Sequence, residues 1–202
     1  AQRVSLILLK GYPNAQEGNL ELLLHAALRN GDPQELLSYA HHILTHHSPL
    51  ADENRALWYA VAFALDHDSV RSGLAEHIRG KDEQAARILN FLCPSHGIKS
   101  DTPYPLPVAA LGSLIAMMGP IFHPRNLSRG GYLAIRGPEG AASSLQSLIH
   151  RLAKELTHEA SLALAELQDN PGLAAWRDEI AYVLADQARQ RRELAFQYFT
   201  VA

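Results

Sequence analysis

Residues 56–65 read ALWYAVAFAL. A helix over this stretch is apolar nearly all round, so no side of it can face water without cost. Such a helix has to be enclosed by neighbours, and that requirement constrains the fold more than any other feature of the chain. Ser48 and Pro49 just upstream read as its N-cap and first helical position.

The flanking sequence supplies amphipathic helices to do the enclosing. Leu20, Leu23, Leu24, Ala27 and Leu28 recur with helical spacing, with Asn19 as candidate N-cap and Gly31 as stop. In Asp32-Pro33-Gln34-Glu35, Asp32 can accept from open amides, Pro33 suits the first helical position and Glu35 completes a capping box. A second helix therefore runs from near 33 to near Ser48-Pro49, with Leu36, Leu37, Ala40, Ile43 and Leu44 as its buried stripe. Val70, Leu74 and Ile78 space a shorter helix closed by Gly80, and Asp82 is placed to cap another carrying Ala85, Ile88, Leu89 and Leu92.

Residues 93–107 hold Pro94, Gly97, Pro103, Pro105 and Pro107 and read as a loop, followed by a short apolar helix at about 108–118. The stretch from about 119 to 140 is a long Gly/Pro/Arg-rich connection with room for a short extended piece at Tyr132–Ile135. Ala142, Leu145, Leu148, Ile149, Leu152 and Leu156 restore a helical stripe, and Thr157 can cap a helix containing Ala160, Leu164 and Leu167. Asn170-Pro171 caps a long final helix with Leu173, Trp176, Ile180, Val183 and Leu184 as its seam. The expectation is an all-α chain of antiparallel helical hairpins stacked as a short HEAT-like α-solenoid. Its halves are 1–100 and 101–202, packed as one continuous unit, and the second carries the long loop.

Bulk properties narrow the function. With 47% hydrophobic and 19% charged residues, the 202-residue chain is a folded protein. A net charge of -3 argues against a dedicated nucleic-acid binder. The single cysteine, Cys93, excludes a disulfide framework or a thiolate zinc site within one chain and suits a reducing, cytoplasmic compartment. The apolar run 106–119 falls short of the roughly 20 residues of a membrane span. The start at Ala1-Gln2-Arg3, without an initiator Met, is expected of a piece of a longer chain.

Chemistry is scarce. His41, His42, His46 and His47 crowd the end of the second helix. At about 100° per residue they do not converge: His47 continues the buried stripe, His41 flanks it, and His42 and His46 share the solvent face. That pair alone could share an ion, as half of a tetrahedral zinc site. A solvated helix face is the simpler reading. HEASL at 158–162 has Leu162 where a zincin needs its second histidine, so Glu159 reads as a first-turn acid. Cys93 and His96 lack an orienting third group, and Asp66-His67-Asp68 reads as a turn in which Asp68 caps the next helix. The glycine-rich stretch RGGYLAIRGPEG lacks the phosphate-loop lysine. Arg189, Arg191 and Arg192 interleave with Asp186 and Glu193 and read as a solvated, paired face. Arg125, Arg129, Tyr132 and Arg136 are the candidate binding residues, because a long loop in a helical protein often serves a purpose.

The second half, over roughly residues 105–197, carries RNLSRGGYLAIRGPEGA, then LIHRLAKELTHEASLALAELQDNPGLAAW, then ADQARQRRELAFQY. This order resembles a C-terminal helical region of large bacterial NTPases of the NACHT or wider STAND type, several of them tied to anti-phage defence. LTHEASLALAELQDNPGLAAW is the most specific part; the first hundred residues match only as generic HEAT-like helices. The resemblance implies a sensor or scaffold arm behind a nucleotide-binding switch. It implies no catalytic residues, and the parent's Walker motifs are absent from this sequence.

The function expected is thus a non-enzymatic interaction module without a cofactor, contacting a protein partner or other domains of a parent chain. Nucleic-acid binding through the arginines is the alternative, and a metal-dependent enzyme using His42 and His46 a further one.

Overall fold

The computed structural model describes residues 17–30, 33–46, 50–93, 106–126 and 138–200. These hold nine α-helices and two 3-10 turns, with no strand among the described residues. The chain divides into two compact units, residues 1–105 and 106–202.

The first unit contains α1 (Glu17–Asn30), α2 (Pro33–His46), α3 (Asp52–Leu65), α4 (His67–Ile78) and α5 (Asp82–Leu92). Helix α3 is the enclosed one, packed against all four others. It buries Ala56, Leu57, Trp58, Ala60, Val61, Ala62 and Phe63, as its apolar circumference demands. Its most extensive contact is with α5, and both helices bury alanines, which let axes approach closely. Arg55 at the start of α3 donates from Nη1 to the Leu44 carbonyl at 2.9 Å, satisfying an open carbonyl near the end of α2.

Several expected helix starts move. Helix α1 begins at Glu17, placing Asn19 inside the first turn rather than at the cap. Helix α3 starts at Asp52, later than Ser48-Pro49 suggested, and Ala51 precedes it with no side-chain cap; Asp52 and Glu53 in the first turn complement the dipole instead. Ser48 and Pro49 themselves lie outside the described residues. The cap of α4 is Asp66, accepting from the Ser69 amide at 3.4 Å, and not Asp68, which lies within the first turn. Asp82 likewise lies inside α5, one residue past the capping position held by Lys81. Gly80 ends α4 at φ +69, the left-handed conformation glycine adopts without a Cβ penalty.

The second unit contains α6 (Val108–Met118), α7 (Pro138–Lys154), α8 (His158–Asp169) and α9 (Arg177–Thr200), with 3-10 turns at Pro124–Asn126 and Pro171–Trp176. Helices α6 and α9 each pack on both α7 and α8. Helix α7 reaches back to Pro138, so the connection expected to run to 140 ends earlier; Tyr132–Ile135 lies outside the described residues. Thr157 caps α8 as its sequence suggests, its hydroxyl accepting from the Ala160 amide at 3.2 Å. Asn170 accepts from Gly172 at 2.9 Å, but residues 171–176 form a 3-10 turn with Leu173 at φ -105, ψ 17, and the final helix starts at Arg177. Leu173, Trp176, Ile180 and Val183 are buried, while Leu184 is half-buried.

The all-α class holds. Within each unit the helices pack in a layered, repeat-like way in which each buries its stripe on its neighbours.

Candidate functional site

The histidines of α2 separate as their angles require. His41 is half-buried, its Nε2 3.2 Å from Ser69 Oγ on α4. Ser69 Oγ also lies 3.0 Å from the Asp66 carbonyl. His42 and His46 are exposed and stacked, with ring centroids 4.7 Å apart and planes 21° from parallel. His46 Nδ1 lies 2.6 Å from Thr45 Oγ1 and 3.3 Å from the His42 carbonyl. His47 lies outside the described residues. Among the described residues no group of three or more His, Cys, Asp or Glu side chains is placed to hold a metal ion.

Of the loop candidates, Arg125 is exposed in the turn Pro124–Asn126, where its amide donates to His123 Nδ1 at 3.1 Å. Arg129, Tyr132 and Arg136 lie outside the described residues. The arginines of α9 are a paired face: Arg189 reaches Asp186 at 2.6 Å and Glu193 at 3.1 Å. Hydrogen bonds from Arg189 and Gln190 hold the Asp186 carboxyl below its ordinary range. The Trp176 indole binds the Phe122 carbonyl, which ties the turn before Arg125 to the foot of α9. Arg189 stands 13 residues beyond Trp176, roughly 20 Å along a helix. Arg125 and the arginines of α9 therefore do not form one patch.

Other motifs resolve into structure. His158 and Glu159 are exposed in the first turn of α8, and Cys93 is buried at the end of α5. Ser161 Oγ contacts the Gln187 amide oxygen at 2.7 Å, the Arg191 guanidinium at 2.8 Å and the Thr157 carbonyl at 3.1 Å. None of the three is a general base.

Two features escaped sequence reasoning. His77 on α4 is nearly buried, its ring 5.1 Å from that of Tyr59, and its Nε2 has no hydrogen-bond partner. Burial pushes its pKa down, with Lys81 adding to the shift. Its spacing from Val70 and Leu74 is the signal that could have found it, since that periodicity puts His77 on the buried stripe beside Ile78.

The second feature is the end of α9. Gln187, 1% exposed, donates to the Glu155 carbonyl at 2.8 Å and is the last buried residue of α9 among those described. Residues 191–196 are all exposed, although Leu194 continues the spacing of Ile180, Val183 and Gln187. Leu194 is 40% exposed and Phe196 74%, with Tyr182 at 67% on the outer face. Through Leu194 the spacing of the seam thus continues past Gln187 into exposed residues. A buried seam can be read from spacing; where its partner helix begins cannot.

No helix among the described residues is long and apolar enough to cross a membrane. No family model, no curated protein and no solved structure matches the chain.

Proposed function

We propose that this chain is a non-catalytic helical interaction module, a scaffold or sensor arm of a larger cytoplasmic bacterial protein of the NTPase type. The observation that carries the reading is the end of α9, where Leu194 and Phe196 stand exposed beyond Gln187. Leu194 carries the seam on past Gln187 with Arg191 on the same side, while Phe196, about 200° further round, joins Tyr182 and Arg189 on the outer face. Exposed apolar side chains bordered by charge on both faces have the composition of a protein contact. The resemblance of residues 105–197 to helical regions behind nucleotide-binding switches supplies the setting. Arg125, with Arg129, Tyr132 and Arg136 of the same connection, forms a second contact region.

Leu194→Ser with Phe196→Ser, made in the natural gene product, tests the reading. Loss of the module's association with its parent domains or partner, with the fold retained, is the expected result. Unchanged association would contradict it. Nucleic-acid binding is the less favoured alternative, because the arginines of α9 are interleaved with acids. Binding that weakens steeply with salt would favour it instead.

A further inference from the structure

We propose that α4 is an acid-released flap, which lifts from α3 when buried His77 takes up a proton while α3 and α5 stay folded. The inference does not depend on the interaction reading and concerns a different helix.

Helix α4 is the one in the first unit with the least to hold it. Of its twelve residues only Val70, Leu74, His77 and Ile78 are buried. A helix this short is marginal once detached, and Gly73 at its middle lowers its helicity further. Gly73 serves the docking: a Cβ there would stand 3.1 Å from the Tyr59 hydroxyl oxygen, so α4 lies close against α3. Contact with α5 is slight by comparison. The chain bends at both ends of α4, through extended Asp66 and left-handed Gly80.

His77 is the one buried residue of α4 that can acquire a charge. It is 9% exposed, its ring lies 5.1 Å from that of Tyr59, and its buried Nε2 has no hydrogen-bond partner. Whichever nitrogen holds the proton of the neutral ring, the imidazolium carries one on each. Protonation in place therefore sets a charged donor at Nε2 with no acceptor, which is costly in a buried site. Lifting α4 gives that donor to water.

The charges around the ring work in the same direction. Burial opposes protonation most, and Lys81 on the link to α5 and Arg55 on α3 add to it. Asp52 on α3 draws the other way, but its carboxylate is held by Lys81 at 2.8 Å. Tyr59 stays neutral, its own pKa pushed up by burial. On α5, Asp82 and Glu83 are exposed in the first turn, and Arg87 reaches Glu53 of α3 at 3.6 Å.

A lifted α4 titrates His77 near the ordinary 6.5, whereas the seated helix holds it lower. Between those two values the open form binds one proton more. Opening is thus favoured by up to about tenfold for each unit of pH lost in that window, and the response flattens below it.

The test is hydrogen–deuterium exchange of the full chain, read by mass spectrometry from about pH 7.5 to about pH 5. Rates are divided by the intrinsic exchange rate at each pH. Protection of α4 amides should fall by up to about tenfold per pH unit below 6.5, with α3 and α5 better protected throughout. His77→Gln and His77→Phe should flatten that response. His41→Gln, which removes the contact with Ser69 at the other end of α4, should leave it in place. Should the His77 variants fail to fold, Lys81→Met at an exposed position is the second test. It removes a like charge and frees Asp52, which narrows the window and should reduce the response. Protection of α4 that ignores pH, or that falls only in step with α3 and α5, would overturn the proposal. So would an undiminished response in the His77 or Lys81 variants, or a flat one in His41→Gln.

Discussion

The indole of Trp176 donates to the carbonyl of Phe122 at 2.7 Å, and both side chains are about 1% exposed. This one bond joins the turn after α6 to the start of α9. Trp176→Phe keeps most of the packing but strands a buried carbonyl, and should cost about 1–3 kcal/mol. Trp176→Ala adds a cavity and should cost about 3–5 kcal/mol. Urea unfolding of the two variants measures the difference.

Gln187 is the second buried polar joint, held by Glu155 and Ser161. Gln187→Leu fills the space but leaves the Glu155 carbonyl without its donor. A loss of about 1–3 kcal/mol is expected from that orphaned acceptor. A more stable Gln187→Leu protein would show that the network serves no role in stability.

Gly119 is required by packing and not by backbone angle, since its φ is -60. A Cβ there would stand 1.8 Å from Leu173 Cδ2. Gly119→Ala should therefore cost about 1–3 kcal/mol by overpacking. Leu173→Ala in the same chain should relieve part of that cost, seen as non-additivity in a double-mutant cycle. Strict additivity would mean the contact is not the cause.

His77 makes stability depend on pH. Burial, with Lys81 and Arg55 nearby, holds its pKa below the ordinary 6.5, against the opposing pull of Asp52. The unfolded chain therefore binds a proton at a pH where the folded chain does not. Stability rises with pH between the lowered folded value and 6.5, and falls as acid is added through that window. Asp52, held below 3.8 chiefly by its hydrogen bond from Lys81, loses its contribution only at lower pH, as it protonates. Unfolding free energies measured from pH 7.5 to 5 should slope less in His77→Phe than in the parent; equal slopes would remove His77 as the source.

The all-α class was legible because ten apolar positions in α3 and the stripes around it leave few other solutions. Helix starts were less legible. Asp66 and Asp68 are equally good caps by residue type, and only the chain's turn decides for Asp66. Asp82 is the better cap than Lys81 by residue type, yet Lys81 holds that position without a side-chain hydrogen bond and Asp82 complements the dipole from the first turn. The solvent-face pairing of His42 and His46 followed from angle alone. The exposed end of α9 depends on where α8 begins relative to it in space.

Leu194 and Phe196 are already exposed, so Leu194→Ser and Phe196→Ser should change stability by no more than about 0.5 kcal/mol. That separates a contact role from a folding role. A large loss in thermal unfolding would mean these side chains support the fold.

The most direct test of the module reading is the size of the natural gene product, by immunoblot with an antibody raised against this chain. A band several times larger than 22.2 kDa is expected, from a parent protein that also carries a nucleotide-binding domain. A single band at 22.2 kDa would contradict it.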